Sequence, residues 1–394
     1  MLWSGQVLSA VGDEVYKMAM VWLAIGLVGY DAGFLAAVEA GSVLVFGLFG
    51  GVVVDRWDHR RTMVGVDLLR GVALLAVPLV AHYTHLTLAL LIAVAVVVSS
   101  LSALFDPALQ GLVPELVDDP EELQATNGLF ESTRRIARIL GPTLVGVLNG
   151  IIPLVHFLSL DAVSFGLSAF SVSLVGRFSP SLEPQPVTSN KPTELLLSAW
   201  RIVGKDSVLR FCLVVACTTW ALWSLSFSLG FALLIHSRWP QQIGAYGALA
   251  ASYGVGNLIS NLCLGSLPNR VPERTMFCGV VLLGLGFIAV ALASNLPLMM
   301  LAAAIAAVGG PMDDLSFLAI LQRKYRGRDV ARIFRLRMAI AYGGILICFL
   351  TSPLLFRLLP ITAVIALSGV GICIVGTIGL FRFAFPRPTL KTSA

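Results

Sequence analysis

The chain has 394 residues, of which 57% are hydrophobic and 12% charged, and its mean hydropathy is +0.88. This composition excludes a water-soluble globule of this length, because too few polar side chains are available to cover its surface. The formal net charge of +5 does not indicate nucleic-acid binding, since no basic and aromatic surface domain accompanies it. The sequence therefore predicts a protein that lies in a lipid bilayer.

Apolar runs long enough to cross a bilayer recur along the whole chain. One crossing needs about 20 apolar residues, and the sequence predicts twelve such helices in two sets of six. Their predicted bounds, in chain order, are 2–29, 34–54, 63–81, 86–104, 123–150, 154–178, 208–235, 243–264, 275–294, 298–321, 330–355 and 361–383. The predicted fold class is an all-α membrane protein.

One long stretch outside these runs separates the two sets. Residues 179–207 begin with closely spaced prolines and end in a short amphipathic helix, which is typical of a linker on the membrane surface. The predicted organisation is a six-helix bundle over 1–178, this cytoplasmic linker, and a second six-helix bundle over 208–394.

The distribution of basic residues predicts the orientation. Most of the 27 Lys and Arg residues fall on one side of the membrane when both termini are placed in the cytoplasm, as the positive-inside rule requires. The six Cys lie inside predicted helices and the five His are scattered, so no metal site is expected. No motif for catalysis or for a cofactor occurs, and an enzyme is not expected.

Charged side chains inside the apolar runs are concentrated in the first set of helices, where each unpaired charge costs several kcal/mol. On the first helix, Asp13 lies roughly 15 Å from the helix start, near the bilayer midplane. A carboxylate whose surroundings alternate between apolar and charged can load and release a proton. We therefore expect Asp13, Glu14 and, on the fifth helix, Glu131 to carry protons. Their predicted charge partners are Lys17, Arg134, Arg135 and Arg138.

Two further groups of side chains allow two interpretations each. Asp67, Arg70 and Asp161, on the third and sixth helices, either orient helices by pairing internally or take part in function. An aromatic stripe on the seventh helix is either packed core or a contact for cargo. The predicted cavity residues are Asp106, Trp220, Trp223, Phe227, Tyr253 and Asn257.

A short motif occurs twice, each time between the second and third helices of a set. The first copy consists of Gly51, Asp55, Arg56, Arg60 and Arg61, and the second repeats the spacing with Gly265, Asn269, Arg270 and Arg274. Such a repeat indicates a duplicated chain.

This motif resembles the loop Gly-x-x-x-Asp-Arg-x-Gly-Arg-Arg of the major facilitator superfamily, although Asp58 and His59 stand where that family has a second Gly and one residue fewer. The resemblance implies twelve helices in two pseudo-symmetric bundles. It also implies a cytoplasmic latch in which Asp55 caps a helix and pairs with basic groups. Asn269 would cap without charge.

A second resemblance lies on the fifth helix, where Gly128, Gly141, Pro142 and Gly146 match most of an antiporter motif of the superfamily. Small residues let helices approach closely, and the family motif implies a periplasmic seal and export. Residues 8–13, 105–108, 113–116 and 125–129 look like the branch that contains macrolide exporters, the enterobactin exporter and the lysophospholipid transporter.

The resemblance implies a secondary active transporter in a bacterial inner membrane. The expected function is proton-coupled export of an amphipathic small molecule, such as a drug or siderophore, by alternating access. Membrane lipid, this substrate and protons are the expected partners of a monomer. The alternative is lysophospholipid translocation without obligatory proton coupling, in which Arg134, Arg135 and Arg138 would bind the phosphate.

Overall fold

The computed structural model describes residues 2–54, 57–117, 119–175, 192–266 and 269–384, and every regular element in these ranges is helical. The α-helices are α1 (Leu2–Val28), α2 (Ala32–Val54), α3 (His59–Tyr83), α4 (Leu88–Leu116), α5 (Pro120–Leu148), α6 (His156–Val175), α7 (Pro192–Val203), α8 (Ser207–Ser224), α9 (Phe231–Arg238), α10 (Ile243–Ser266), α11 (Pro272–Leu292), α12 (Leu296–Lys324), α13 (Arg328–Leu358) and α14 (Ile361–Gly379). Two π-helical segments cover Leu225–Gly230 and Leu380–Ala384.

Nine stretches of the described residues are long and apolar enough to cross a membrane. One of them, Leu2–Leu48, contains most of α1 and α2, and another, Ser207–Arg238, contains α8, a π-helical segment and α9. Helices α5 and α10, of 29 and 24 residues, pack among these spans and complete the twelve predicted crossings. The short α7 lies where the sequence predicts an amphipathic helix.

The two sets of six helices have the same internal packing. In the first set, α1 packs on α5 and α6, α2 on α4, and α3 on α4 and α6. In the second set, α8 packs on α13 and α14, α10 on α12, and α11 on α12 and α14. Each contact of the first set therefore has its counterpart in the second, as expected for a duplicated chain.

The two bundles meet through the pairs α5–α10 and α2–α13, which are equivalent to each other under the same exchange. The backbones approach closely where small residues face each other. A Cβ atom at Gly247 would lie 2.5 Å from the carbonyl oxygen of Pro142, and one at Gly146 would lie 3.5 Å from that of Gly244. Glycine at position 247 is therefore required by the α5–α10 contact.

We call the end of the molecule at which α1, α3 and α5 begin the near end, and the opposite end the far end. At the far end, Asp31 accepts two hydrogen bonds of 2.7 Å from Arg357, which joins the loop before α2 to the end of α13. The Trp22 ring lies 5.1 Å from the His236 ring and 6.0 Å from the Tyr246 ring, measured between centroids. These contacts hold the two bundles together at the far end.

Helix starts follow from local sequence. Asp58 accepts a 2.7 Å hydrogen bond from the backbone N–H of Arg61 and caps α3, because a side-chain oxygen satisfies one of the free N–H groups of the first turn. Thr87, Asp119, Asp206 and Asn295 cap α4, α5, α8 and α12 in the same way. Gly29 follows α1 with a φ of +60°, a conformation that favours glycine at a helix end.

Candidate transport cavity

A cavity of about 320 Å³ lies within the first bundle and is lined by residues of α1, α2, α3, α4 and α5. Its walls combine apolar and hydroxyl-bearing side chains with an unusual number of charges for this depth in a membrane. The charged lining residues are Asp13, Glu14, Lys17, Glu39, Arg70, Asp106, Arg134 and Arg138.

Helix α1 contributes the polar stripe that its sequence spacing predicts. Gln6, Ser9, Asp13 and Lys17 all line the cavity, because residues three and four apart share one helix face. Glu14 lines the cavity as well, and its carboxylate forms a 2.6 Å ion pair with Lys17. The structure thus brings two of the three predicted proton carriers, Asp13 and Glu14, to one wall.

Helix α5 contributes arginines to the cavity but not its glutamate. Arg134 forms a 2.7 Å ion pair with Asp106 of α4, and both residues line the cavity together with Arg138. Glu131 instead forms a 2.8 Å ion pair with Arg135, is 57% exposed, and is not among the lining residues. The predicted proton carriers are therefore not all brought together.

Glu39 on α2 is a cavity residue that the sequence reasoning missed. The Tyr16 hydroxyl donates a 3.1 Å hydrogen bond to its carboxylate, and both residues line the cavity. A signal was available, because Glu39 is the sole ionisable residue in the predicted run 34–54. A single charge inside an apolar run is a functional-site candidate by default.

A buried ionic cluster lies behind the cavity. Arg70 forms an ion pair with Asp67 one turn away on α3, and donates a 3.2 Å hydrogen bond to the Ser102 hydroxyl. Its guanidinium lies 4.6 Å and 4.2 Å from the ring centroids of Phe105 and Phe165, as in cation–π contacts. Arg70 itself reaches the cavity lining, so the cluster borders the cavity.

The aromatic residues of the second bundle pack against one another instead of lining this cavity. The Trp223 indole N–H donates a 2.7 Å hydrogen bond to the Tyr253 hydroxyl, and the Phe227 ring stacks on Trp223 at 5.2 Å. Trp220 lies under Arg337, and Asn257 accepts a 3.1 Å hydrogen bond from Asn261. Of the predicted cavity residues, Asp106 lines the cavity, whereas Trp220, Trp223, Phe227, Tyr253 and Asn257 do not.

Local helix geometry contributes to this difference. The sequence spacing of the aromatic stripe assumes a continuous α-helix, but Leu225–Gly230 is π-helical. A π-helical turn contains about one residue more than an α-helical turn and rotates the residues that follow it. The α-helical spacing assumed for the stripe therefore ends at Ser224, although the Phe227 ring still contacts the rings of Trp223 and Phe231.

The first copy of the repeated motif is only partly described. Asp55 and Arg56 lie outside the described residues, and Gly51 belongs to the last turn of α2. The Arg60 guanidinium donates hydrogen bonds to the carbonyl groups of Val172, at 3.4 Å, and Ser173. A cation at these carbonyls stabilises the end of α6.

The second copy makes different contacts from those expected. Asn269 does not cap α11: its amide donates a 3.0 Å hydrogen bond to Ser316 of α12 and its oxygen accepts one of 3.0 Å from Thr275 of α11. Arg323 donates to the carbonyl groups of Asn269 and Arg270, at 2.7 and 3.2 Å. Gly265 and Arg274 belong to the adjoining turns of α10 and α11.

Three of the four antiporter-type positions lie at close helix contacts. A Cβ atom at Gly141 would lie 2.5 Å from that of Glu14 on α1, while Pro142 and Gly146 pack on α10. Gly128, nearer the start of α5, has no such neighbour within 4 Å. Small residues therefore set the spacing of α5 from α1 and α10 in the far half of the helix.

This architecture agrees with the outcome of sequence comparison. Residues 2–249 match the Major Facilitator Superfamily, and the chain belongs to that superfamily. The predicted family and fold class are confirmed. Because the members of this superfamily are transporters, the prediction that the chain is not an enzyme is confirmed as well.

Two similar proteins indicate which branch of the superfamily the chain resembles. Multidrug efflux pump Tap of Mycobacterium tuberculosis is 29% identical over 359 residues, which cover 86% of this chain and 84% of that protein. Macrolide efflux protein A of Streptococcus pyogenes is 27% identical over 177 residues, or 44% and 43% of the two chains. The predicted resemblance to the drug-exporter branch is thereby confirmed.

Solved structures share the fold. The nucleoside transporter NupG superposes with a TM-score of 0.75 over 98% of both chains at 13% identity. A bacterial homologue of the iron transporter ferroportin, in its inward-facing state, gives a TM-score of 0.75 at 17% identity and covers 96% of this chain and 97% of that one. At such identities the likeness concerns the fold alone.

Proposed function

We propose that this protein is a secondary active transporter that exports an amphipathic small molecule, such as a drug or a siderophore-like compound, in exchange for protons by alternating access. The observation that carries the proposal is the cavity, which the carboxylates of Asp13, Glu14 and Glu39 line together with apolar side chains between membrane-spanning helices. The efflux relatives support the direction of transport.

The carboxylates of the cavity differ in whether a cation is paired with them. Lys17 neutralises Glu14 and Arg134 neutralises Asp106. Within the described part of the chain, neither Asp13 nor Glu39 forms an ion pair within 4 Å. A carboxylate without a paired cation is the one whose proton affinity responds most to a change of surroundings. We therefore assign proton exchange first to Asp13, with Glu39 as the second unpaired carboxylate, and keep Glu14 and Glu131 as further candidates.

The near end is assigned to the cytoplasm. This orientation follows from the positive-inside distribution of Lys and Arg, and it places both termini in the cytoplasm of a bacterium, with the protein in the inner membrane. The bundle contacts at Asp31–Arg357 and Gly146–Gly244 then close the external side. Transport by a monomer in lipid requires that these contacts open when the near end closes.

The test uses purified full-length protein in proteoliposomes with an imposed pH gradient and a macrolide as cargo. We expect Asp13→Asn to lower gradient-driven transport by at least about tenfold, because the amide cannot accept a proton. Glu115→Gln is the control, since Glu115 pairs with His59 at 2.7 Å outside the cavity lining. Retained gradient-driven transport in Asp13→Asn would remove this residue from the mechanism.

The contacts do not favour lysophospholipid translocation. Binding of a lipid phosphate would draw on the three arginines of α5, but Arg134 pairs with Asp106 and Arg135 with Glu131, so that among the described residues Arg138 is the one of the three without an ion pair. Recruiting either arginine would leave a carboxylate without its partner. We therefore propose a single function.

A further inference from the structure

Asp161 on α6 is a fully buried carboxylate with little stabilisation. Its exposed fraction is 0%, and the Ser164 hydroxyl donates a 2.9 Å hydrogen bond to Oδ1. Within the described residues, Oδ2 has no hydrogen-bond partner. An ionised carboxylate in this state is strongly unfavourable in a membrane interior, whereas a protonated one is tolerated.

The side chain lies directly behind the Asp13 wall of the cavity. Oδ1 of Asp161 occupies the space in which a Cβ atom at Gly12 would stand, so the carboxyl group touches the α1 backbone one residue before Asp13. Asp13 lines the cavity, whereas Asp161 does not. Successive residues of an α-helix point about 100° apart, so the two carboxyl groups lie on adjacent faces of one helix segment, and only the face of Asp13 borders the cavity.

The charges around Asp161 do not balance when all groups are ionised. The titratable or charged groups that act on it are Asp13 and Tyr16 from α1, and Asp67 and Arg70 from α3. Arg70 is the only cation among these described groups, and it is committed to Asp67. Lys17 is bound to Glu14. Three carboxyl groups thus surround one guanidinium. Asp161, which is fully buried and forms no ion pair among the described residues, requires a proton in this dry environment, whereas Asp13 borders the cavity.

We propose that Asp161, together with Asp67 and Arg70, forms a proton-binding site behind the cavity, separate from the side chains that contact cargo. In the transfer step, the proton leaves the Asp161 carboxyl group and binds the Asp13 carboxylate, so the Asp161 carboxylate gains the negative charge that Asp13 loses. Arg70 then stabilises the new carboxylate. This inference rests on the proposed proton-coupled transport and adds the residue that stores the proton while cargo occupies the cavity.

A proton fits this site better than a metal ion. No group of three or more His, Cys, Asp or Glu side chains in the described ranges has the arrangement of a metal site. The guanidinium of Arg70 would also repel a cation from the same space. Sodium also binds carboxylate ligands, and the first experiment distinguishes bound sodium from a bound proton.

The first experiment detects the bound proton directly. Infrared difference spectra of the full-length protein in nanodiscs report the carbonyl stretch of protonated carboxyl groups. We expect Asp161→Asn to remove one component of that band. The matched control is Asp313→Asn, which changes another buried aspartate that pairs with Arg337 at 3.2 Å and should leave the component in place. An unchanged band in Asp161→Asn, or its loss from the wild type when NaCl replaces KCl at constant pH, would overturn the proposal.

The second experiment separates proton storage from a structural role. In proteoliposomes, Asp161→Asn is expected to lower macrolide transport driven by a pH gradient by about tenfold. Counterflow of labelled against unlabelled macrolide, which needs no net proton movement, should stay within about threefold of wild type. Asp161→Glu should recover part of the driven rate. An equal loss of counterflow would show that Asp161 is merely structural.

The two experiments also distinguish a failure of this inference from a failure of the proposed function. If the wild-type protein moves the macrolide but ignores the pH gradient, proton coupling fails. The infrared band still decides whether Asp161 binds a proton. If the gradient drives transport in the wild type and equally in Asp161→Asn, coupling stands and the storage site is wrong.

Discussion

Among the described residues, each bundle buries one arginine against aromatic rings, and the two sites differ in how the nearby carboxylates contact it. Arg70 in the first bundle and Arg337 in the second are each 2% exposed. Arg337 lies 4.2 Å from the Phe317 centroid and 5.6 Å from that of Trp220, which resembles the placement of Arg70 between two phenylalanines. The two bundles thus use the same kind of contact to hold a cation in the membrane.

The carboxylates around the two arginines differ. Arg337 pairs with Asp313 at 3.2 Å and with Asp314 at 2.9 Å, and the Asp314 side chain is 52% exposed. Asp67 and Asp161 in the first bundle are both fully buried. In the second cluster both carboxylates therefore pair with the guanidinium, whereas among the described residues of the first cluster Asp161 forms no ion pair with Arg70. This difference supports the proposal that the first cluster transfers a proton, and we expect the second cluster to hold helices together.

The largest effect is expected at Arg337. Arg337→Met leaves Asp313 buried without its cation, and we expect a loss of about 3–5 kcal/mol in the free energy of unfolding. The double variant Arg337→Met/Asp313→Leu should recover most of it, because no buried charge remains. Thermal unfolding of the purified proteins measures both. A double variant no more stable than the single one would contradict a purely structural role.

The same exchange in the first bundle should have a different outcome. Arg70→Met/Asp67→Leu removes the corresponding ion pair, and thermal stability is expected to recover as in the second bundle. Transport driven by a pH gradient should nevertheless fall roughly a hundredfold, a typical contribution of a proton-transfer group. The comparison of the two double variants in proteoliposomes tests the assignment. Equal transport in both would erase the distinction between the clusters.

The contact between the bundles offers a third test of smaller size. Gly247→Ala places a methyl group 2.5 Å from the Pro142 carbonyl oxygen, and such overpacking costs about 1–3 kcal/mol. Gly128→Ala is the matched control on α5, since no neighbouring atom lies within 4 Å of the added group. We expect a lower melting temperature for the first variant only. Equal melting temperatures would show that α10 can shift away from α5 at little cost in free energy.

The smallest predicted effect is a pH dependence of the stability of the second bundle, contributed by Asp206. Burial alone would raise the pKa of Asp206, but hydrogen bonds from Lys324, at 2.9 Å, and from the backbone of Leu209 and Val208 lower it overall. Its stabilising contribution is therefore present above the ordinary pKa of 3.8 and is lost as the pH falls through the lowered value. Because Lys324 is partly exposed, we expect less than about 1 kcal/mol.

Asp206→Asn tests this effect without a change of shape. The amide oxygen still caps α8, so the variant should match the wild type in acid and be slightly less stable at neutral pH. Melting temperatures between pH 3 and pH 7, on the order of the range in which a carboxylate titrates, measure the difference. A difference that persists unchanged in acid would assign the effect to the cap.

The sequence allowed most of the fold and one wall of the cavity to be predicted. Apolar length defines the spans, and three- and four-residue spacing places Asp13 and Lys17 on one face of α1. Glu39 could also have been predicted from the sequence, because it is the sole ionisable residue in the apolar run 34–54. Local pattern was sufficient wherever a single helix determined the result.

The remaining predictions depended on packing between helices. Glu131 and Arg134 are one turn apart on α5, yet only Arg134 lines the cavity, because the neighbouring helices decide which part of the polar face borders open space. The placement of the aromatic residues around Trp223 depends on the π-helical segment that follows Ser224 and on their hydrogen bonding and stacking with α10. Neither fact is visible in the spacing of a single helix.

The charge of α5 has a consequence for how the chain enters the membrane during synthesis. This helix is not among the nine stretches apolar enough to cross on their own, and it carries Glu131, Arg134, Arg135 and Arg138 within two turns. Each charge near a helix centre costs about 2.5–3.5 kcal/mol on insertion. Glu131 and Arg135 can pair within the helix, but Arg134 needs Asp106 of α4. We therefore expect α5 to enter the membrane together with α4, whose Asp106 neutralises Arg134.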